Sequence, residues 1–519
     1  MAFGFRDSQK GNRQAAFGFA SVAGDRSGIR AAWSDVLGPH HLYGPRIPNP
    51  VVPIFSRPKL MHLSSTIKER ALAAGFDLVG VVSLDPAPQA FWEDLGFARR
   101  WVDAGRGGEM HYLANPKRDD PRLVLPSAKS VICVGLIYNA PLPYSTEAPE
   151  SGRHEAESSR QKAEGRRQRL EGSSKLEIRS QRLANRDLPA VSPSASCFQP
   201  TADGLPPAAS RSHAWISRYA WGHDYHRVMR ARLERLRAEI GSLAPGVETR
   251  VYVDTGPIVE RALARYSGIG WVGKNTCLIH QEKGSWLFLG IILTSLALRP
   301  DFPAPDRCGS CTRCLEACPT GALTEPYVMD ASRCIAYLTI ELKGSIPLEF
   351  RSDVGRNVFG CDICQDVCPW NRGSSDEYGV ASGESKDDGH FPALGNRPRS
   401  AASTDRPEFQ PLFVTLPGAG TLESEAADGR APEARSFSLF NPPLEALSTL
   451  SEEDFKRAFA RSPIKRAKYR GWLRNLCVAI GNSGSTHFTP WLESARHHPD
   501  PVVREHAEWA LSQLRRTGQ

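Results

Sequence analysis

The sequence predicts three unlike parts in series: an α/β domain, a small ferredoxin-like domain and a C-terminal α-helical domain. Three observations predict this. Helix-like and strand-like stretches alternate from residue 61 to about 300, as an α/β domain requires. Eight of the chain's 12 cysteines crowd between Cys308 and Cys368. Beyond residue 438 the apolar residues recur at helical spacing.

The bulk numbers bound what these parts can do. A chain of 519 residues has room for two to four domains. Its 40% hydrophobic and 24% charged residues are ordinary for globular protein. No run of about eighteen apolar residues exists, so no helical membrane span is expected. A net charge of +8 suits a polyanionic partner without demanding one.

Residues 1–60 are rich in Gly, Pro and Arg and show no sustained period. Asp7, Asp25 and Asp35 argue against a mitochondrial presequence. Met61 precedes Ser64-Ser-Thr-Ile-Lys-Glu69, a helix start. The first sixty residues are therefore expected to be a disordered or mis-assigned extension, with translation from Met61. In the domain that follows, Phe76–Val82, Val131–Ile137, Arg250–Asp254 and Trp286–Leu293 read as strands, and His226–Ile240 as a helix. Residues 145–212 interrupt it with Ser, Arg, Glu and Gln and too few large apolar residues to bury a core. They read as a disordered insertion, and residues 373–437, aperiodic in Gly, Ser, Asp and Pro, as a second one.

The cysteine-rich part spans 301–372. It opens Cys308-x2-Cys311-x2-Cys314-x3-Cys318-Pro and closes Cys361-x2-Cys364-x3-Cys368-Pro, with Cys334 between. This is the spacing of two-cluster bacterial ferredoxins, in which the fourth cysteine of a run serves the other cluster. One 4Fe–4S cluster is assigned to Cys308, Cys311, Cys314 and Cys368. The other is assigned to Cys318, Cys334, Cys361 and Cys364. Structural zinc or a disulfide framework are the alternatives, but zinc rarely uses C-x2-C-x2-C, and no secretory signal is visible. Such a pair relays single electrons to an acceptor elsewhere in the chain. Cys133, Cys197, Cys277 and Cys477 are scattered and expected to stay reduced, and the cytoplasm is the expected compartment.

The C-terminal domain, 438–519, reads as helices Glu452–Ala460, Tyr469–Ile480 with a Gly481-Asn482 stop, and Pro501–Leu511. Their flavour is that of a HEAT-type repeat, which must pack on the main body. Lys456, Arg457, Arg461, Lys465, Arg466, Lys468, Arg470 and Arg474 make it basic, either as a solvated face or as a polyanion contact.

Several stretches together resemble the epoxyqueuosine reductase family. They are Arg218-Tyr-Ala-Trp-Gly-His-Asp-Tyr-His226, Val253-Asp-Thr-Gly-Pro257, Gly268-Ile-Gly-Trp-Val-Gly-Lys-Asn275, the eight cysteines, Arg333–Glu341 and Ser462-Pro-Ile-Lys-Arg466. The likeness covers roughly 61–144, 213–372 and 438–516. It implies reduction of epoxyqueuosine to queuosine at the wobble position of tRNA anticodons, by cobalamin and two 4Fe–4S clusters. It makes 61–300 the cobalamin-binding domain and Asp254 the proton donor. Read alone, Asp before Thr-Gly-Pro is a turn-former.

For the corrin, the expected contacts are Arg218, Tyr219, His223 and Tyr225, the Gly270–Asn275 loop with Gly273, Lys274 and Asn275, and Ala336 and Tyr337 from the cluster side. His280 is discounted as a lower cobalt ligand. Lys343, Lys465, Arg466, Lys468 and Arg470 are the expected tRNA phosphate contacts. The implied partners are tRNA and a low-potential donor of ferredoxin or flavodoxin type, with no membrane and a monomeric chain. Three rivals remain open: a reductive dehalogenase, for which no twin-arginine signal is visible, a ferredoxin fused to a binding module, and an RNA-binding scaffold with structural clusters.

Overall fold

A computed structural model describes residues 57–146, 212–372, 402–416 and 435–517. At its centre lies a four-stranded sheet of β1 (Leu78–Ser83), β2 (Ser130–Ile137), β3 (Thr249–Tyr252) and β4 (Leu287–Thr294). The order is β1-β2-β4-β3, and every pairing is antiparallel. The helix–strand alternation of the sequence thus builds an antiparallel sheet with helices on its faces.

All eight residues of β2 are buried. Successive side chains of a strand point to opposite faces, and two cores follow from that. Ile132 and Val134 join Met229, Leu233 and Leu236 of helix Tyr225–Leu243 on one side. Val131 and Cys133 join Phe91, Leu95, Ala262 and Leu263 on the other. Gly290 of β4 permits the first packing, since a Cβ there would lie 2.8 Å from Leu233 and 3.0 Å from Met229.

In the cysteine-rich part, short helices Arg313–Glu316 and Ile363–Asp366 pack together, each running into a Cys-Pro turn. Helix Lys468–Ser483 is the inner helix of the C-terminal part. It packs on helix Pro501–Thr517, on strand Asn357–Phe359 and on helix Leu348–Val354. Among the described residues no helix is long and apolar enough to cross a membrane.

Several expectations need correction. The first helix runs Arg57–Ala73, so it starts before Met61 and before the capping residues read at Ser64; residues 1–56 lie outside the described residues. Ser64 is instead buried and accepts the Arg299 backbone N–H at 2.8 Å. Within the second expected insertion, residues 402–416 and 435–437 are folded. Arg406 forms a fork to both Asp77 oxygens at 2.7 and 2.8 Å, and Phe409 packs against Phe288. Phe413–Leu416 pairs with Arg435–Ser438. These anchors are too few to lift the average composition of the tract, so it read as structureless. The remainder of both insertions lies outside the described residues. Finally, Gly481-Asn482 does not stop its helix. Gly481 lies inside it, where a Cβ would lie 2.9 Å from Ala510 Cα, and Gly484 at φ +70° forms the left-handed cap.

Candidate active site

Asp254 follows β3 in a left-handed backbone conformation, φ +55°, which is uncommon for any residue but glycine. The loop after it is clamped. Arg118, buried, donates to the carbonyls of Gly256 at 3.3 Å and Ile258 at 3.0 Å. Gly256 has no room for a side chain, because a Cβ would fall 2.1 Å from the Tyr252 ring. The Asp254 N–H donates to Glu260 Oε1 at 2.6 Å, and the Tyr225 hydroxyl donates to Asp254 Oδ2 at 2.6 Å. Burial, then the charge of Asp254, pushes Glu260 up to about 8. The turn that Asp before Thr-Gly-Pro predicts is thus present, with Asp254 at its left-handed position.

Asp254 opens onto a cleft of ≈ 110 Å³. One wall is aromatic: Tyr138 stacks on Phe288 at 4.3 Å, and Phe288 on Tyr225 at 4.3 Å, nearly parallel. Cys277 and Gln365 also line the cleft. Gln365 follows Cys364 in the chain and donates to the Ser285 carbonyl at 3.1 Å and hydroxyl at 2.9 Å. The cleft thus joins the Asp254 loop to the cysteine-rich part.

The cysteines fall into two packed groups, with Cys314 in the group of Cys318, Cys334 and Cys364. Cys308 and Cys368 pack with Trp271, Ile279 and Trp370. Cys318, Cys334 and Cys364 pack with Ala322, Leu323 and Met329, a shell that Cys314 also touches. Burial, then the charges of Cys311 and Cys308, pushes Cys314 up to about 11. Burial, then Cys334 and later Cys318, raises Cys361. As thiolates these groups would repel one another, and a cationic iron–sulfur core would relieve that repulsion. Among the described residues no trio of His, Cys, Asp or Glu converges on a single-ion site; cysteines around a cubane each hold a different iron.

Other expected residues are placed differently. Tyr219 and Tyr225 line the cleft. Arg218 does not. Its buried guanidinium donates to the carbonyls of Ala140, Leu142 and Pro143 and lies over Tyr144, Trp221 and Trp286. Lys274 donates to the Gly309 and Cys311 carbonyls, and Asn275 to that of Cys364, so both tie the Gly-rich hairpin to the cysteine loops. Ala336 and Tyr337 are buried, and Tyr337 Oη accepts from the Glu109 N–H at 2.9 Å. His223 faces a separate pocket with Arg227 and Arg461. His280 Nδ1 accepts two turn N–H groups, consistent with a structural role.

The basic residues of the C-terminal part are largely engaged within the fold. Lys465 bonds Asp224 at 2.9 Å, Arg466 forms a fork to Glu341, and Arg470 pairs with Asp500 and donates to the Lys343 carbonyl. Arg474 is buried against the carbonyls of Leu338, Leu342 and Gly344. Lys343 and Lys468 are exposed. Sequence reasoning missed Arg118, His226, Glu260, Phe288 and Gln365. Only His226 carried a signal, as the last residue of a quoted stretch.

Known proteins resemble this chain over most of its length. Residues 307–371 match the model of a 4Fe–4S double cluster binding domain, and residues 195–255 that of epoxyqueuosine reductase QueG, DUF1730. The epoxyqueuosine reductase of Xanthomonas campestris is 33% identical over 467 residues, covering 89% of this chain and 98% of the relative. That of Escherichia coli K12 is 31% identical over 462 residues, covering 88% and 90%. A crystal structure of epoxyqueuosine reductase with an epoxyqueuosine-modified tRNA-Tyr stem loop aligns over 87% of this chain and 90% of that one, at TM-score 0.60 and 25% identity. The chain is a member of the epoxyqueuosine reductase family.

Proposed function

We propose that this protein reduces epoxyqueuosine to queuosine at the wobble position of tRNA, with Asp254 protonating the departing oxygen. The observation that carries the reading is one cleft lined both by Asp254 and by Gln365, the residue after Cys364. Loss of the epoxide oxygen as water consumes two electrons and two protons, and no side chain supplies such electrons.

Cobalamin fits the residues present. The buried Tyr219 hydroxyl, which lines the cleft, has no hydrogen-bond partner among the described residues, and a polar group of a bound corrin would satisfy it. Tyr219, Tyr225, Phe288 and Leu289 would hold it. When bound, cobalamin and the clusters supply the low-potential electrons. The remaining work belongs to the chain. The Tyr225 hydroxyl fixes the rotamer of Asp254, the Arg118 clamp fixes its loop, and the Asp254 carboxyl delivers a proton to the oxygen. The ligand sets proposed for the two clusters are Cys308, Cys311, Cys314, Cys368 and Cys318, Cys334, Cys361, Cys364. Lys343 and Lys468, exposed on the C-terminal side, are the proposed phosphate contacts. A base to be modified in a loop can be splayed into such a cleft.

The test is Asp254→Asn under single-turnover conditions with a strong reductant and epoxyqueuosine-containing tRNA. Removing a general acid costs roughly 10²- to 10⁴-fold. Queuosine formation should fall by at least about a hundredfold while iron and bound cobalamin stay at wild-type levels. Unchanged turnover removes Asp254 from the mechanism. The dehalogenase reading is not favoured, because reductases of this family align over nearly the whole of their own length.

A further inference from the structure

We propose that His226 supplies protons to the active site through Asp254, with Asp224 and Lys465 as its fixed counter-charges. The inference rests on Asp254 as the proton donor. The reaction needs two protons and one carboxyl carries only one, so Asp254 must be reprotonated or joined by a second donor.

His226 is placed to be that source. It is the second residue of helix Tyr225–Leu243, and its ring stacks on Tyr225 at 4.1 Å. Nδ1 lies 2.7 Å from Asp224 Oδ1. Nε2 lies 3.6 Å from Asp254 Oδ2, and it is buried without a direct hydrogen-bond partner among the described residues. Helix capping explains the first contact, since Asp224 also accepts the His226 N–H. It does not explain why the other nitrogen faces a carboxylate across a gap that one water can bridge.

The surrounding charges keep the imidazole protonated. Asp224 and Asp254 flank it, Tyr225 covers one face, Glu260 lies behind Asp254, and Lys465 lies behind Asp224. Burial alone lowers the imidazole, but the Asp224 hydrogen bond and the nearby carboxylates of Asp254 and Asp224 outweigh it and push His226 up to about 9. Asp224 is held below the usual carboxylate range, because the bonds from His226 and Lys465 outweigh its burial. In the step itself, the Nε2–H bond breaks as an O–H forms on the Asp254 carboxylate Oδ2, directly or over one water, and Oδ2 passes that proton to the departing oxygen. The neutral imidazole keeps Nδ1–H on Asp224 and regains its proton from solvent through its 27% exposed side chain. Electrons are not involved. Acting through Asp254, His226 is a positioning residue.

Two measurements on the full-length, cofactor-loaded protein test this. In carbon-13 NMR of labelled histidines, assigned with His226→Gln, the His226 signal should titrate near pH 9 and move to lower pH in Asp254→Asn. A midpoint near the ordinary value of about 6.5, unmoved by Asp254→Asn, overturns the pairing. In single-turnover assays the wild type should hold its rate through neutral pH and lose it above about 9. His226→Gln should be at least about tenfold slower at pH 8, with its decline beginning at lower pH, and imidazole should partly restore His226→Gly. A His226→Gln rate and pH profile matching wild type overturn the proposal. Wild type that forms no queuosine at any pH overturns the functional reading instead, and the NMR titration then decides the His226–Asp254 pairing separately.

Discussion

Asp254 occupies a backbone conformation that costs a non-glycine residue about 1–3 kcal/mol. Bonds from its own N–H to Glu260 and from Tyr225 to its Oδ2 hold it there. Strain at this position aims the carboxyl into the cleft rather than along the strand. A hydrogen bond to a charged group contributes about 1.5–3 kcal/mol. Tyr225→Phe should therefore keep the fold and cofactor content yet slow queuosine formation by about 10- to 100-fold. A variant as fast as wild type would show that the Tyr225 contact does not orient Asp254. Asp254 was legible because a recognisable stretch carries it. Glu260 and Arg118 were not, since a glutamate six residues on and a distant arginine acquire meaning only when the loop closes over them.

The strands and helices were legible wherever one face is buried, because the apolar period is then strict. β2 and helix Tyr225–Leu243 lie within a residue or three of their expected bounds. The basic tail misled for the opposite reason. A run of arginines reads as a surface, yet helix Lys468–Ser483 is buried along much of its length, and Arg474 satisfies carbonyls in the core. The docking of helix Pro501–Thr517 has its own pH signature. His506 is buried, with Nδ1–H donating to Val502 and Nε2 accepting the Ile346 N–H at 3.1 Å. Burial, then Arg351, pulls His506 down to about 4. Its folded value is below the unfolded one, so its contribution is complete above about pH 6.5 and is lost as pH falls towards 4. The loss is on the order of 3 kcal/mol. Thermal melting followed by tryptophan fluorescence should show this acid decline in wild type and a shallower one in His506→Gln. Equal slopes in the two proteins would contradict it.

The candidate site is assembled from segments scattered along the chain: the β3 loop, the Gly-rich hairpin, helix Ile363–Asp366 and, behind His226, Lys465 of the C-terminal part. Cysteine spacing was legible because cluster geometry dictates it locally. The cleft was not, since its walls meet only through long-range packing. The same assembly makes sense of the Gly-rich hairpin, whose Lys274 and Asn275 fasten the cysteine loops to the domain bearing Asp254. A disturbance in either part should therefore reach the other. The central claim is that electrons and protons meet in this one cleft. The most direct measurement is anaerobic reconstitution with iron, sulfide and cobalamin, followed by reduction and mass spectrometry of nucleosides from epoxyqueuosine-containing tRNA. The account predicts two 4Fe–4S clusters per chain and queuosine that forms only when cobalamin is present. Full clusters and bound cobalamin with no queuosine formed would contradict it.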